Sequence, residues 1–363
     1  CFGTDEDFRL LVNACHSMGL RVIIDGVFNH VGWRFFAFED VVEKGEASAY
    51  KDWFYGLKFP VHRPETGDEY PQYECFGYER MMPKTNTENP EVIEYFCKVG
   101  QYWVREFDID GWRLDVASEI NDAFWRRFRE AVKAVKRDCL LIGEVWESAQ
   151  HWLGGDMFDS TMNYDFRKHC RRFFAEHSID AAQFDGRVTN MRMRYKLPVL
   201  YGQLNLLDSH DVSRFLSLCK NELSSMKLAV LFQMTFVGIP SVFYGDEKGI
   251  DGLLEEEYRH PMPWGESGSE LERFYQDAIQ LRNTWPELRW GDYHTVYAQK
   301  GSGMYCYCRS SDKVKIFILL NNQPQAVDIP AEFAEGMLLW QEGLEGQMLA
   351  PMGFAVFRQV TGT

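Results

Sequence analysis

Three charged side chains, Asp110, Arg113 and Asp115, lie among the apolar residues of the segment FDIDGWRLDVASE at residues 107–119. The apolar residues predict a buried β-strand, and Arg113 and Asp115, two positions apart, would share one face of it. A guanidinium beside a carboxylate favours the ionised form. We therefore expect Asp115 to be held as an anion, the form in which a carboxylate acts as a nucleophile.

A second acidic residue, Glu144, lies in the segment LLIGEVWE. Its apolar neighbours Ile142, Val145 and Trp146 would raise the pKa of the carboxyl group and keep a proton on it for a leaving group. A nucleophilic carboxylate and a protonated one are the pair that glycoside hydrolysis requires. Taken singly, an Arg/Asp pair in a strand is more often structural than catalytic, so the interpretation depends on further motifs.

Polar residues follow several predicted strands on their carboxyl side. They belong to four segments: DGVFNH with Asp25, Asn29 and His30; GWRLDVASE with Arg113 and Asp115; LIGEVWE with Glu144; and LLDSHD with Asp208, His210 and Asp211. In a parallel barrel these strand ends all face one rim, where active sites lie. His30 and His210 lie beside acids at two different rim positions, which favours ligand contact over a buried structural role.

Helices and strands alternate along most of the chain, which predicts parallel strands covered by helices. Helices are expected at 4–19, from Pro90, at 121–136, from Asp165, at 222–237 and at 270–284. Six strands are expected with them: RVIID, DIDGWRLD, LLIGE, FDSTMNY, LNLLDSHD and SVFYGDE. This pattern favours an α/β fold of the (β/α)8 TIM type over a doubly wound sheet, and no GxGxxG follows any strand.

The alternation changes in two places. Residues from about 31 to 90 lose clear periodicity and are rich in aromatic residues, Gly and Pro, which predicts an inserted loop domain. From residue 290, short alternating segments separated by turn residues predict a small C-terminal all-β domain. We therefore expect a catalytic barrel at 1–289, with the insertion at about 31–90, and a C-terminal β-sandwich at 290–363.

The composition excludes some classes of partner. A net charge of −15 and the lack of a Lys/Arg-rich run argue against nucleic acid or an anionic membrane surface, and no apolar run is long enough to span a bilayer. A neutral ligand fits better, and 11 Trp and 17 Tyr could supply flat faces for sugar rings. The nine Cys show no metal-binding spacing, so we expect free thiols and a cytoplasmic location.

Four segments of the chain resemble, in order, the four conserved regions of the α-amylase family of glycoside hydrolases. They are DGVFNH, GWRLDVASE, GEVW and LLDSHD. A further segment, MPKTNTENPEV, is similar to the region that marks the cyclomaltodextrinase, maltogenic amylase and neopullulanase branch. Glu119 in VASE also fits this branch. FYGDEKG and YRHPMPW resemble segments around the eighth barrel strand. The resemblance covers essentially the whole chain.

Carried over position by position, the resemblance implies Asp115 as nucleophile, Glu144 as general acid/base and Asp211 as the carboxylate that stabilises the transition state. It also implies substrate contacts from His30, Arg113, Glu119, Trp146 and His210. Trp146 would be either a wall of the site or a platform for a sugar ring.

The implied activity is retaining hydrolysis of α-1,4 glucosidic bonds, with α-1,6 bonds as a further class. The substrates would be oligosaccharides: maltodextrins, cyclodextrins, pullulan or starch fragments. The alternative is a non-catalytic glucan-binding or scaffold protein, or an inactive fragment of such an enzyme.

No required cofactor is expected. Members of the family with a central calcium ion often combine the Asn of the first region with a His after the second, and this chain has ASE there, which counts against calcium.

Six predicted strands fall short of the eight that close a barrel of this type. The expectation is a barrel incomplete at the N-terminus, with strands 3 to 8 present, two βα steps upstream and a gap between the strands at Arg21 and Ser241. By resemblance, an N-terminal β domain used for homodimer formation would also belong to the full-length protein. Alone, the chain would then be inactive and prone to aggregate through its open strand edges.

Overall fold

The structure is a computed structural model that describes residues 3–63, 70–265, 267–330, 333 and 335–360. Its residues group into two units, 1–162 and 163–363. In the described part of the chain, every helix is too short or too polar to cross a bilayer.

The first unit consists of parallel strands connected by helices and loops. Its α-helices are α1 (Asp5–Ser17), α2 (Phe36–Lys44), α3 (Pro90–Phe107) and α4 (Asp122–Val135). Its strands are β1 (Ile23–Gly26), β2 (Gly111–Leu114), β3 (Leu140–Gly143) and β4 (Ser160–Asn163), which pair in that order. Single 3-10 turns lie at Gly45–Ala47, Lys51–Trp53, Phe76–Tyr78, Ala117–Glu119 and Gln150–Leu153.

The strand register lines up the carboxyl ends of β1, β2 and β3. Asp25 lies opposite Arg113, and Arg113 lies opposite Ile142. The backbone pairing continues one residue beyond the strands, since the N–H of Asp115 donates to the carbonyl of Gly26 (3.1 Å) and that of Glu144 to the carbonyl of Leu114 (2.9 Å). The register therefore fixes which side chains meet at this end of the sheet.

Helices α3 and α4 cover the strands. Helix α3 begins where the Asn89 side chain accepts the N–H of Glu91 at 2.8 Å, with Pro90 at the first helical position. At Gly100 a β-carbon would lie 2.6 Å from the ring of Phe128 on α4. The absence of a side chain at Gly100 therefore lets the two helices approach closely.

The second unit begins with helices and two parallel strands and ends in an antiparallel sheet. Its α-helices are α5 (Tyr164–Cys170), α6 (Ala181–Met193), α7 (Leu197–Gly202), α8 (Phe215–Leu218), α9 (Leu223–Thr235), α10 (Glu255–Tyr258), α11 (Glu270–Thr284) and α12 (Glu287–Trp290), and one π-helical turn lies at Arg171–Ala175. Its parallel strands are β5 (Leu204–Leu206) and β6 (Ile239–Ser241). The antiparallel strands are β7 (Asp292–Ala298), β8 (Met304–Ser310), β9 (Val314–Asn321), β10 (Val327–Asp328), β11 (Met337–Glu345) and β12 (Met348–Val360).

The long strand β12 organises the antiparallel sheet. It pairs with β9 and β10 and also with β11, and the order continues from β9 to β8 and β7. Buried Lys227 of α9 bonds to Glu270 of α11 (2.6 Å) and Glu342 of β11 (2.9 Å). Lys227 therefore links the sheet to the helices of the same unit.

Parallel strands with helices, followed by an antiparallel sheet, fit the predicted TIM-type barrel with an all-β domain. The prediction for SVFYGDE was wrong in position, since β6 ends at Ser241 and residues 242–247 form a turn-rich loop. Helix α2, inside the segment 31–90, and strand β11 were not predicted, and 64–69 lie outside the described residues. The incomplete barrel and the boundary at 289/290 stay predictions.

Asp110 links the start of β2 to the residues that precede β1. Its carboxylate accepts the N–H of Val22 (2.8 Å) and contacts His16 Nε2 (2.8 Å) and Lys136 Nζ (3.0 Å). Burial opposes ionisation, but these donors outweigh it and lower the pKa of Asp110 to about 2. A carboxylate whose pKa is lower in the folded than in the unfolded chain stabilises the fold above pH 4.

We expect Asp110→Asn to lower the free energy of unfolding by about 1–3 kcal/mol at pH 7, because charge-assisted hydrogen bonds are lost. The difference from the wild type should shrink as the pH falls from about 4 towards 2, where Asp110 itself becomes protonated. Urea unfolding of the full-length protein measures both effects. Asp108→Asn is the matched control, since exposed Asp108 pairs with the same Lys136 at 2.8 Å; an equal loss in the two variants would contradict the role of Asp110.

Candidate active site

One guanidinium binds three carboxylates at the carboxyl ends of β1, β2 and β3. Arg113 Nη1 lies 2.9 Å from Asp25 Oδ1 and 2.6 Å from Asp115 Oδ1, and Nη2 lies 2.8 Å from Glu144 Oε1. The strand register supplies Asp25 and Arg113 as direct neighbours, and Asp115 and Glu144 follow their strands immediately. The two acids singled out in the sequence are therefore brought together by Arg113.

Asp115 is more buried than the sequence indicated. Burial raises the pKa of Asp115 to about 6, although the Arg113 charge and its hydrogen bond pull the value down. The carboxylates of Glu144 and Asp25 add to the increase. Arg113 acts on the pKa of Asp115 in the expected direction, but burial has the larger effect, and the prediction that Asp115 is held as an anion stays a prediction.

Glu144 lies in a polar setting. Its carboxyl group is 4 % exposed; Oε2 accepts the backbone N–H of Val116 at 2.9 Å, and Oε1 accepts the indole N–H of Trp146 at 3.2 Å in addition to its contact with Arg113. The expected apolar environment was wrong, because Val116 and Arg113 are brought in from β2 and Trp146 turns its indole N–H towards the carboxyl group. Trp146 is half exposed and can present its ring beside the acid.

His30 and Glu119 lie in a second cluster of the first unit. The His30 ring stacks on Phe76, with centroids 4.8 Å apart, and burial lowers the pKa of His30, so the imidazole is neutral at pH 7. Glu119 accepts a hydrogen bond from Asn29 Nδ2 (3.3 Å) and pairs with Lys84 Nζ (2.7 Å). Lys84 was missed as a site residue, although it lies in the branch-typical segment MPKTN.

The remaining predicted residues, His210 and Asp211, belong to the second unit. His210 Nε2 lies 3.0 Å from Asp211 Oδ2, and Arg259 Nη2 lies 3.2 Å from Asp211 Oδ1. Arg259 Nε also donates to the carbonyl of His210 at 2.8 Å. Arg259 therefore holds both the backbone and the carboxylate of this segment, and YRHPMPW was the only signal for it in the sequence.

Asp208, which the sequence placed at the rim, is buried behind this segment. Its Oδ2 accepts the N–H of Phe215 at 2.6 Å, and Asp246 forms a hydrogen bond with its carboxyl group. Burial raises the pKa of Asp246 well above its usual range, and the neighbouring Asp208 raises it further. Burial and the neighbouring acid therefore favour the protonated form of Asp246.

Arg214 fixes the acid pair to the surrounding loops. Its Nη1 contacts Asp246 Oδ1 (2.9 Å) and donates to the carbonyl of Tyr244 (2.8 Å), and its Nε donates to the carbonyl of Tyr258 (3.0 Å). The guanidinium is fully buried and lies over the ring of Phe243. This network joins the segment that carries Asp211 to the turn after β6 and to the segment that carries Arg259.

The family follows from the comparison with known proteins. The model of the alpha-amylase family, described as its catalytic domain, matches residues 1–277. The chain therefore belongs to the α-amylase family, which confirms the resemblance seen in the four strand-end motifs.

Its relatives include enzymes of the predicted branch. The chain is 43 % identical over 350 residues to neopullulanase 2 of Thermoactinomyces vulgaris, covering 95 % of this chain and 59 % of that protein. It is 41 % identical over 331 residues to a cyclomaltodextrinase of Geobacillus thermopakistaniensis, covering 91 % and 56 %. A solved cyclomaltodextrinase structure superposes with a TM-score of 0.88 and 38 % identity, covering 99 % of this chain and 62 % of that one. The chain thus spans less than two thirds of these relatives.

The raised pKa of Asp246 predicts a pH-dependent stability. In the unfolded chain Asp246 ionises near pH 4, whereas in the folded protein it keeps its proton to higher pH, so it stabilises the fold most at low pH and less as the pH rises. The amide in Asp246→Asn can still donate to Asp208 and does not titrate.

The free energy of unfolding of Asp246→Asn should therefore rise relative to the wild type between pH 5 and pH 8. Urea unfolding at both pH values measures this change. Asp277→Asn, which removes an exposed carboxylate from the same unit, corrects for the loss of one charge. A difference between variant and wild type that stays constant or falls with pH would contradict the raised pKa of Asp246.

Proposed function

We propose that this chain is the catalytic part of a retaining glycoside hydrolase acting on α-1,4 glucosidic bonds of maltodextrins and cyclodextrins, with α-1,6 bonds as a second class. The observation that carries the proposal is the pair of carboxyl groups, Asp115 and Glu144, held by one guanidinium on adjacent strand ends. Membership of the α-amylase family and similarity to a neopullulanase and cyclomaltodextrinases support the substrate class.

Asp115 is the proposed nucleophile. With a pKa of about 6 it is mostly ionised at pH 7, and the bond from Arg113 to Oδ1 fixes the orientation of the carboxylate. Its attack forms a bond to the anomeric carbon as the glycosidic C–O bond breaks. The product is a covalent glycosyl-enzyme ester and a released sugar.

Glu144 is the proposed acid and base. It gives its proton to the leaving glycosidic oxygen in the first step and takes a proton from water in the second, when that water cleaves the ester at the anomeric carbon. Its contacts with Val116, Trp146 and Arg113 hold the carboxyl group in place. Two displacements at the same carbon retain its configuration.

The remaining roles rest on the motifs. Asp211 is proposed to stabilise the positive charge that develops on the sugar, and His210 to bind a sugar hydroxyl. Neutral His30 can donate a hydrogen bond to a hydroxyl and suits the same role. Trp146, half exposed beside Glu144, suits stacking on a sugar ring.

We propose that the site works without calcium. A calcium ion needs six to eight oxygen ligands, whereas the Glu119 carboxylate beside Asn29 already binds the ammonium group of Lys84. Among the described residues, no group of three or more His, Cys, Asp or Glu has the arrangement to hold a metal ion. Lys84 supplies a positive charge there instead.

Completion of the barrel by two further βα steps, and dimer formation in the full-length protein, are parts of the same proposal. Exposed apolar side chains near β1 support the completion of the barrel. They are Leu10 (57 % exposed), Leu11 (55 %) and Ile23 (40 %). Further strands would cover such a surface. A cytoplasmic location is proposed because the eight cysteines described are free thiols.

Asp115→Asn should leave the fold intact and lower kcat on β-cyclodextrin, on the order of 10³- to 10⁶-fold, because the amide cannot form the covalent ester. Initial rates and product analysis with β-cyclodextrin, pullulan and starch, using the full-length protein, measure the effect and the bond preference.

Asp138→Asn is the matched control, since it removes an exposed carboxylate between α4 and β3 and should keep wild-type rates. Retention of more than about one percent of kcat in a pure preparation of Asp115→Asn would rule out Asp115 as the nucleophile. Glucan binding without cleavage by the wild type would favour a non-catalytic binding protein.

A further inference from the structure

Val116, directly after the proposed nucleophile, has a strained backbone. Its φ and ψ are 44° and 43°, in the left-handed region. Among the described residues other than glycine with positive φ, Val116 is the only one whose side chain is branched at the β-carbon. Such a residue is a genuine outlier there, because the branched side chain crowds the backbone, and glycine would take the conformation freely. The surroundings must therefore impose it.

The left-handed turn directs two successive backbone N–H groups towards Glu144. The N–H of Val116 donates to Oε2 of the carboxyl group at 2.9 Å. The N–H of Ala117 donates to the backbone carbonyl of Glu144 at 3.2 Å. The end of β2 is thus bonded to both the side chain and the main chain of the proposed acid.

Contacts on both sides of Val116 hold the turn. Before it, the N–H of Asp115 donates to the carbonyl of Gly26 at 3.1 Å. After it, the carbonyl of fully buried Ala117 accepts the indole N–H of Trp125 at 2.9 Å. Because both neighbours are fixed, a change to a relaxed conformation at Val116 would turn its N–H away from Glu144.

The other carboxylate oxygen is held by side chains. Oε1 of Glu144 binds Arg113 Nη2 at 2.8 Å and Trp146 Nε1 at 3.2 Å. With donors on both oxygens, the carboxyl group cannot rotate about its bond without losing at least one of them. The donor to Oε2 described here, the N–H of Val116, belongs to the backbone, so its direction is set by ψ of Asp115 and φ of Val116 and not by a side-chain rotamer.

We propose that the N–H of Val116 is a positioning donor that holds Glu144 in the orientation needed for proton transfer, and that the strain at Val116 results from directing this N–H at the carboxyl group. The inference rests on the proposed function, since it concerns the residue assigned there as acid and base. It adds a role for a backbone group that no side-chain substitution removes.

The direct test replaces Val116 by its α-hydroxy acid, so that the backbone N–H becomes an ester oxygen and the side chain stays unchanged. The same replacement at Ala117 is the matched control, because that N–H binds the main chain of Glu144. The full-length protein is assayed on β-cyclodextrin and on a dinitrophenyl α-maltoside, whose leaving group departs without a proton.

The ester at position 116 should lower kcat/KM for β-cyclodextrin by roughly ten- to a hundredfold, less than the full contribution of a general acid. It should change kcat/KM for the dinitrophenyl substrate by no more than about twofold, because that step needs no acid. The ester at position 117 should change both values equally. An unchanged rate on β-cyclodextrin, or an equal loss on both substrates at position 116, would overturn the proposal.

Val116→Gly tests the strain separately. This variant keeps the N–H and relieves the crowding, so it should have an equal or higher unfolding temperature. A clearly lower unfolding temperature would show that the conformation of Val116 is not strained and would overturn the strain part of the proposal. If the wild type cleaves neither substrate, the proposed function fails and the inference fails with it. If the wild type cleaves both and the ester at position 116 loses activity equally on both, only the inference is overturned.

Discussion

The first unit depends on one partly buried guanidinium that binds three carboxylates. Asp25, Asp115 and Glu144 come from the ends of three adjacent strands, and Arg113 contacts all three. Without a positive charge between them, acids this close would raise one another's pKa and take up protons. The planar fork of arginine can bind several carboxylates in fixed directions, which a lysine cannot do. The strand register brings these acids to Arg113, and the ionisation of the site depends on that one side chain.

Burial and charge act in opposite directions at Asp115, and their balance suits a nucleophile that works near neutral pH. A pKa of about 6 leaves the carboxylate ionised roughly ten to one at pH 7. A fully exposed aspartate would be ionised more completely, but water would bind it and compete with the substrate. Arg113 thus allows a partly buried carboxylate to remain an anion.

The sequence was sufficient to predict the strand ends and the acids on them, because parallel strands place successive carboxyl ends side by side. Arg113, Asp115 and Glu144 could be found in this way. Their environments could not be predicted, since the donors to Glu144 include Arg113 and the backbone of Val116, about thirty positions earlier in the chain. The ionisation of Asp208 likewise depends on its burial and on Asp246, which the chain brings near only when it is folded. Sequence neighbours therefore indicated which residues reach the site and were a poor guide to their ionisation.

The pH dependence of kcat/KM, compared between the wild type, Arg113→Lys and Arg113→Gln in the full-length protein, tests the role of Arg113 most directly. The acid limb reports ionisation of the nucleophile in the free enzyme, and in the wild type it should lie near pH 6. In Arg113→Gln it should move to higher pH, because the charge that favours ionised Asp115 is gone while burial and the neighbouring carboxylates remain; in Arg113→Lys the shift should be smaller. An acid limb that stays in place in Arg113→Gln, with kcat/KM retained, would contradict the account.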